Sequence, residues 1–115
     1  VEQWAAIAES PAYEVSSWGR VRRGEFEVAS WPNAKGYHLV NLEIDGRPRL
    51  RYVHRLVLTA FRGRDVRRPL ANHDDGQKGR NVLENLAWTT PSANVLHGRR
   101  VRLEREYGQG SLFAL

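Results

Sequence analysis

Between Gly36 and Phe61 the chain changes its hydrophobic period once, and that change restricts the folds open to it. From Gly36 to Ile44 the side chains alternate, with Tyr37, Leu39 and Asn41 on one side and His38, Val40 and Leu42 on the other. Successive side chains of an extended strand point to opposite faces, so this is a strand pattern. Asp45-Gly46 follows, a pair that accepts the positive φ values of a tight hairpin turn, and it predicts a return strand over Arg47–Val53. At Val53 the period lengthens: Val53, Leu56, Val57, Ala60 and Phe61 share one helical face. A hairpin feeding directly into an amphipathic helix points to an α+β chain.

The same order recurs downstream. A short apolar strand ends in Asn72-His73, a polar loop of Asp, Gly and Lys follows, and a second strand returns through Leu86-Ala-Trp88. Pro91 then opens a helix expected to run past Gly98 through Val101 and Leu103. Upstream, residues 1–30 carry Trp4, Ile7, Tyr13, Val15, Trp18 and Val21, with Ser10-Pro11 and Trp18-Gly19 as turn signals. They read as short strands pinned by aromatic side chains. The tail after Gly108 is expected to be loosely ordered.

Composition narrows the chemistry. At 115 residues with 41% hydrophobic and 27% charged side chains, the chain has enough apolar content for one folded domain. No apolar run approaches the roughly 20 residues that span a bilayer, and no secretory leader opens the chain, so a cytoplasmic protein without a membrane is expected. There is no cysteine, which removes disulfides and thiolate metal sites. Any metal must be held by oxygen and imidazole nitrogen.

The formal net charge is +5, and apart from Lys35 and Lys78 every cationic side chain is arginine. Arginines cluster at Arg20, Arg22 and Arg23, at Arg47, Arg49 and Arg51, at Arg62 to Arg68, and at Arg99 to Arg105. Alternate positions of a strand share a face, so Arg47, Arg49 and Arg51 should line one side. The planar guanidinium fork suits phosphate and guanine edges, and nucleic acid is the favoured partner.

Three segments carry a resemblance. Val53-His-Arg-Leu-Val57 with Ala60-Phe61, then Asn72-His-Asp-Asp-Gly76, Asn81, Glu84-Asn-Leu-Ala-Trp88, and Thr90-Pro-Ser-Ala-Asn94 with His97, together resemble the HNH nucleases of phage and intron homing endonucleases. The opening Glu2-Gln-Trp4, Tyr13-Glu-Val-Ser16 and Gly19-Arg-Val-Arg22 is similar to the module that often precedes such domains. The resemblance covers residues 2–97. It implies a ββα-metal core behind small antiparallel strands and a helix. The division expected is a β-rich DNA-binding module at residues 1–52, the nuclease core with its leading helix at 53–105, and a tail at 106–115.

The implied activity is metal-dependent hydrolysis of double-stranded DNA, with a nick as the product because one ββα motif holds one catalytic centre. Such hydrolysis needs an activated water in line with the leaving oxygen, and something to neutralise charge on the phosphate. His73 suits the first task, since an unperturbed imidazole titrates near ~6.5 and can accept a proton at neutral pH. A backbone carbonyl or Asn85 is expected to fix its tautomer, and Asn85 matches the middle asparagine of the family pattern, either bracing the loop or supporting the base. Asn72 and Asn94 match the family's metal ligands. His97, one turn from Asn94, could add a ligand, touch phosphate or cap the helix.

Asn72 stands where aspartate is frequent, and an amide adds no charge, so affinity for Mg²⁺ or Mn²⁺ should be weak unless Asp74 or Asp75 contributes. DNA contacts are expected from Arg20, Arg22, Arg23, Arg47, Arg49, Arg51, Lys78, Arg80 and Arg99. His54 is expected to make a structural hydrogen bond, Asp75-Gly76 to form a turn, and the four tryptophans to pack in the core or at its rim. The competing reading is a non-cleaving DNA-binding or packaging accessory protein of the same fold. Oligomeric state, monomer or dimer, is left open.

Overall fold

The computed structural model of the chain describes residues 1–93. Strands β1 (Trp4–Ala6), β2 (Tyr13–Ser16), β3 (Val21–Arg23) and β4 (Phe26–Val28) form an antiparallel meander in chain order. A second meander joins β5 (Trp31–Pro32), β6 (His38–Ile44) and β7 (Arg47–Tyr52). Helix α1 (Val53–Arg62) follows without a break, and a third pairing joins β8 (Leu70–His73) to β9 (Leu86–Thr89). A single 3₁₀ turn at Leu83–Asn85 leads into β9, and residues 91–93 open a further helix. The architecture is α+β, as the two hydrophobic periods require.

The local chemistry accounts for these boundaries. Asp45 and Gly46 have φ of 53° and 75°, the paired positive values of a hairpin turn whose twist matches its strands. The return strand ends at Tyr52, one residue earlier than the pattern suggests, because Val53 already belongs to α1. Gly63, at φ 71°, closes α1 by donating its N–H to Thr59 O at 3.1 Å. At the later helix Thr90 Oγ1 accepts the N–H of Ala93 at 3.2 Å, a side-chain N-cap with Pro91 in the first helical position.

One core crosses all three pairings. Tyr13, Val15 and Val21 enter it from the first sheet, Val40 and Leu42 from β6, and Leu86 from β9. Helix α1 is the hub: Val53, Val57 and Leu58 are fully enclosed, and Leu56 nearly so. The phenol of Tyr13 ties the sheets together by accepting the N–H of Glu43 at 3.2 Å. Replacing Leu58 by Ala would empty a packed site and cost about 2–5 kcal/mol. β7 gives way to α1 between Tyr52 and Val53, and the core runs continuously across that point.

Candidate active site

His73 is the last residue of β8, paired with Leu86 of β9, and only 4% exposed. Its Nε2 lies 2.7 Å from Oδ1 of Asn81, which is itself buried. An amide oxygen only accepts, so Nε2 carries the proton and Nδ1 is the basic nitrogen of the neutral ring. Burial pushes the His73 pKa below the ordinary imidazole value. The bond to Asn81 and the charges of Asp75 and Asp74 oppose that shift, and Lys78 adds to it. The ring is therefore neutral at neutral pH, the state a proton acceptor needs.

Of the two roles expected of Asn85, its hydrogen bonds match loop bracing, and Asn81 is the side chain against His73. Its Nδ2 donates to Asp75 Oδ1 at 3.0 Å and to Arg80 O at 2.9 Å, and its Oδ1 accepts the N–H of Asp75 at 3.2 Å. Asp75 in turn accepts from the N–H of Gln77 at 2.8 Å and from Arg80 at 3.2 Å, and Gly76 makes the turn at φ 72°. The Asp75 carboxylate is thus engaged on both oxygens, and its pKa lies below the usual value, with these hydrogen bonds outweighing partial burial. Three hydrogen bonds thus hold Asp75 in the loop, while Asp74, next to His73 in the chain, is exposed at the turn.

A second histidine abuts the first. His54, near the start of α1, is 5% exposed, and its ring centroid lies 4.9 Å from that of His73. Tyr37 stacks on its other side at 5.3 Å and Tyr52 meets it edge-on at 5.5 Å. The expected structural hydrogen bond is not what holds it: Nδ1 is buried without a partner among the described residues. Aromatic packing against these three rings holds it instead. Burial, and then the proximity of His73 and Arg55, lowers its pKa to about 3.

The basic side chains sort into two groups. Arg20 forms a two-pronged pair with Glu2, Arg22 bonds Glu14 at 2.9 Å, and Arg23 reaches Glu43 at 3.4 Å. Arg51 pairs with Glu9 at 2.7 Å and Arg80 with Asp75. Lys78 donates to Lys35 O at 2.9 Å and lies over the ring of Tyr37. Arg47 and Arg49 are exposed, and neither forms an ion pair among the described residues. Of the tryptophans, Trp4 stacks under Arg22, and Trp88 donates its indole N–H to Gly63 O at 2.8 Å. Trp18 and Trp31 are exposed rather than packed.

Asn94, His97 and Arg99 lie outside the described residues. Among the described residues no three of His, Cys, Asp and Glu gather as a metal cluster, and no helix is long and apolar enough to cross a membrane. Asn81 is the residue that reading the sequence left without a role. It stands inside the motif, but no spacing rule marks the asparagine that will face a histidine across a loop.

No family model matches the chain. It is 31% identical over 98 residues to an HNH endonuclease of Acanthamoeba polyphaga mimivirus, covering 84% of this chain and 30% of that protein. It is 33% identical over 89 residues to DNA endonuclease I-HmuI of Bacillus phage SP01, covering 72% of this chain and 49% of the relative. The chain therefore spans less than half the length of these curated relatives. A solved structure of I-HmuI, described as binding and cleaving DNA, superposes with a TM-score of 0.75 at 27% identity, over 90% of this chain and 66% of that one.

Proposed function

We propose, for a chain that belongs with the HNH homing endonucleases over the part of their length it spans, that it hydrolyses phosphodiester bonds of double-stranded DNA. In this reading it nicks one strand per site. The observation that carries the reading is the buried His73 whose Nε2–H is taken up by Asn81. With that proton committed, Nδ1 draws a proton from the attacking water as the water's oxygen bonds to phosphorus and the bond from phosphorus to the leaving oxygen breaks. The loop tied by Asn85 and Asp75 holds the strand end still while the charge redistributes. Removing a positioned general base typically costs about 10²- to 10⁴-fold in rate.

The donors at the strand end suit a hard divalent cation. Asn72 and Asp74 offer oxygen, no thiolate exists in the chain, and Asn94 with His97 are the further ligands proposed from the motif. Mg²⁺ or Mn²⁺ bound there would stabilise the negative charge that grows on the scissile phosphate. Residues 1–52 would then serve as the DNA-binding module and residues 53–105 as the nuclease core. Arg47 and Arg49, exposed and in no ion pair among the described residues, are the phosphate contacts best supported among the arginines.

Supercoiled plasmid tests this. Open-circular product is expected with Mg²⁺ or Mn²⁺ and none with EDTA. His73→Ala should lower the nicking rate at least ~100-fold while affinity for uncleaved DNA stays the same. A binder that never nicks, or a His73→Ala protein that nicks at the parental rate, would overturn the assignment.

A further inference from the structure

We propose that the turn Ser16–Gly19 of the first sheet is a positioning device for the general base, with Gly19 seating Asn81 against His73. The inference rests on the reading of His73 as base and adds residues far from the nuclease motif to its machinery. Two separate contacts carry it. Leu83 donates its N–H to Ser17 O at 2.7 Å, which pins the loop to the turn two residues beyond Asn81. Gly19 meets Asn81 itself: a Cβ built on Gly19 would stand 2.7 Å from the Asn81 carbonyl oxygen and 2.8 Å from its Cβ. Those are backbone and near-backbone atoms, so the neighbour cannot swing aside as a flexible side-chain tip would.

The turn is itself rigidly held. Ser16 is fully buried, and its Oγ accepts the N–H groups of Trp18 at 3.2 Å and Arg20 at 3.1 Å. Gly19 donates its N–H to Ser16 O at 3.0 Å, and Ser17 donates to Gln3 O at 2.8 Å. Asn81 is thus fixed on one face by the turn and on the other by the imidazole at 2.7 Å. If Asn81 withdraws, Nε2 loses its acceptor and the neutral ring redistributes between its two tautomers. Only one of them presents Nδ1 as a base.

Gly19 also has φ 85°, which any L side chain resists, so backbone strain must be separated from contact. Gly24, in the next turn of the same sheet, supplies the control: its φ is 59° and nothing lies within 4 Å of a built Cβ. Gly19→Ala should lower kcat about 100-fold, the scale of an ångström's misplacement, with KM and affinity for uncleaved DNA unchanged. Gly24→Ala, with strain but no contact, should stay within about twofold of the parent. In an Asn81→Ala background Gly19→Ala should add no further loss of kcat, since the two act through one bond.

Long-range ¹H–¹⁵N spectra of the His73 ring at one pH give a readout independent of turnover. The parent should show a single Nε2–H tautomer, and Gly19→Ala a mixture. Equal losses from Gly19→Ala and Gly24→Ala, or additive losses with Asn81→Ala, would overturn the proposal, as would an unchanged tautomer. Should Gly19→Ala not fold, Ser16→Ala loosens the turn without a clash and should shift tautomer and kcat the same way. A parent protein that fails to nick DNA refutes the catalytic reading, and the tautomer comparison still decides whether Gly19 holds the histidine.

Discussion

Two arginine-rich strands of similar composition are put to different uses. Around β3 each arginine meets a carboxylate: Arg20 with Glu2, Arg22 with Glu14 and Arg23 with Glu43. Two also lie over aromatic rings, Arg22 at 3.8 Å from the centre of Trp4 and Arg23 at 5.2 Å from that of Tyr13. On β7, among the described residues, only Arg51 is paired, while Arg47 and Arg49 are exposed across from Ile44 and Leu42. Charge that is paired within the chain must first leave its carboxylate before it can neutralise a phosphate and release counterions. Arginine count is therefore a poor guide to a DNA surface; the acidic neighbours decide it.

The strongest test reverses the β7 charges. Arg47→Glu with Arg49→Glu should weaken binding to uncleaved DNA by about 100-fold near 0.1 M salt and flatten the log–log salt dependence by about two. Titrations at several salt concentrations measure both. If the same change at Arg22 and Arg23 had the larger effect, the contrast between the strands would be reversed.

Acid sharpens the contrast from another side. Arg20 holds the pKa of the Glu2 carboxylate at about 2, so between pH 7 and 5 the pH dependence of stability should come from His54, packed between Tyr37, Tyr52 and His73 beside Arg55. Its folded-state pKa of about 3 lies below the unfolded value near 6.5, so the unfolded chain binds the extra proton between those limits. Stability is then full above pH 6.5 and declines toward pH 3, by about 1.4 kcal/mol per unit for one proton. His73, shifted the same way, adds to the slope. Urea unfolding at pH 7, 6 and 5 should show it, and His54→Phe should flatten it. An unaltered slope in His54→Phe would move the acid sensitivity back to the surface pairs.

The smallest effect is expected on β3 itself. Arg22→Ala should cost about 1 kcal/mol of stability, through a half-exposed ion pair and a ring contact, and change DNA affinity by no more than about threefold. A drop in affinity without a drop in unfolding midpoint would return Arg22 to the DNA surface.

The same contrast explains what could be read from the chain in advance. The Asp45-Gly46 turn, the alternation of β6 and the helical period from Val53 are properties of neighbouring residues, and sequence carries them directly. His73 stood out because its motif is local as well. Which arginine meets which carboxylate depends on strand register across separations such as the 42 residues between Glu9 and Arg51, which no local pattern encodes. Asn81 escaped notice for a related reason: its partner is set by the path of a loop. The hydrogen bond expected of His54 failed because a polar type on an apolar helix face can be held by ring packing alone.

The position of β7 has a consequence for solubility. Among the described residues no strand lies beyond it in its sheet, so its outer side is an open edge, where the Leu50 carbonyl accepts from the Arg51 guanidinium at 2.9 Å. Such an edge invites a second copy to add on and start a growing aggregate. Pro48 removes one donor from that edge, and Arg47 and Arg49 flank it with like charge that repels an identical neighbour. The side chains suited to grip a polyanion therefore also keep copies of the chain apart. Reversing both charges to glutamate preserves that mutual repulsion, whereas neutral replacements would expose a bare edge and confuse lost DNA binding with precipitation.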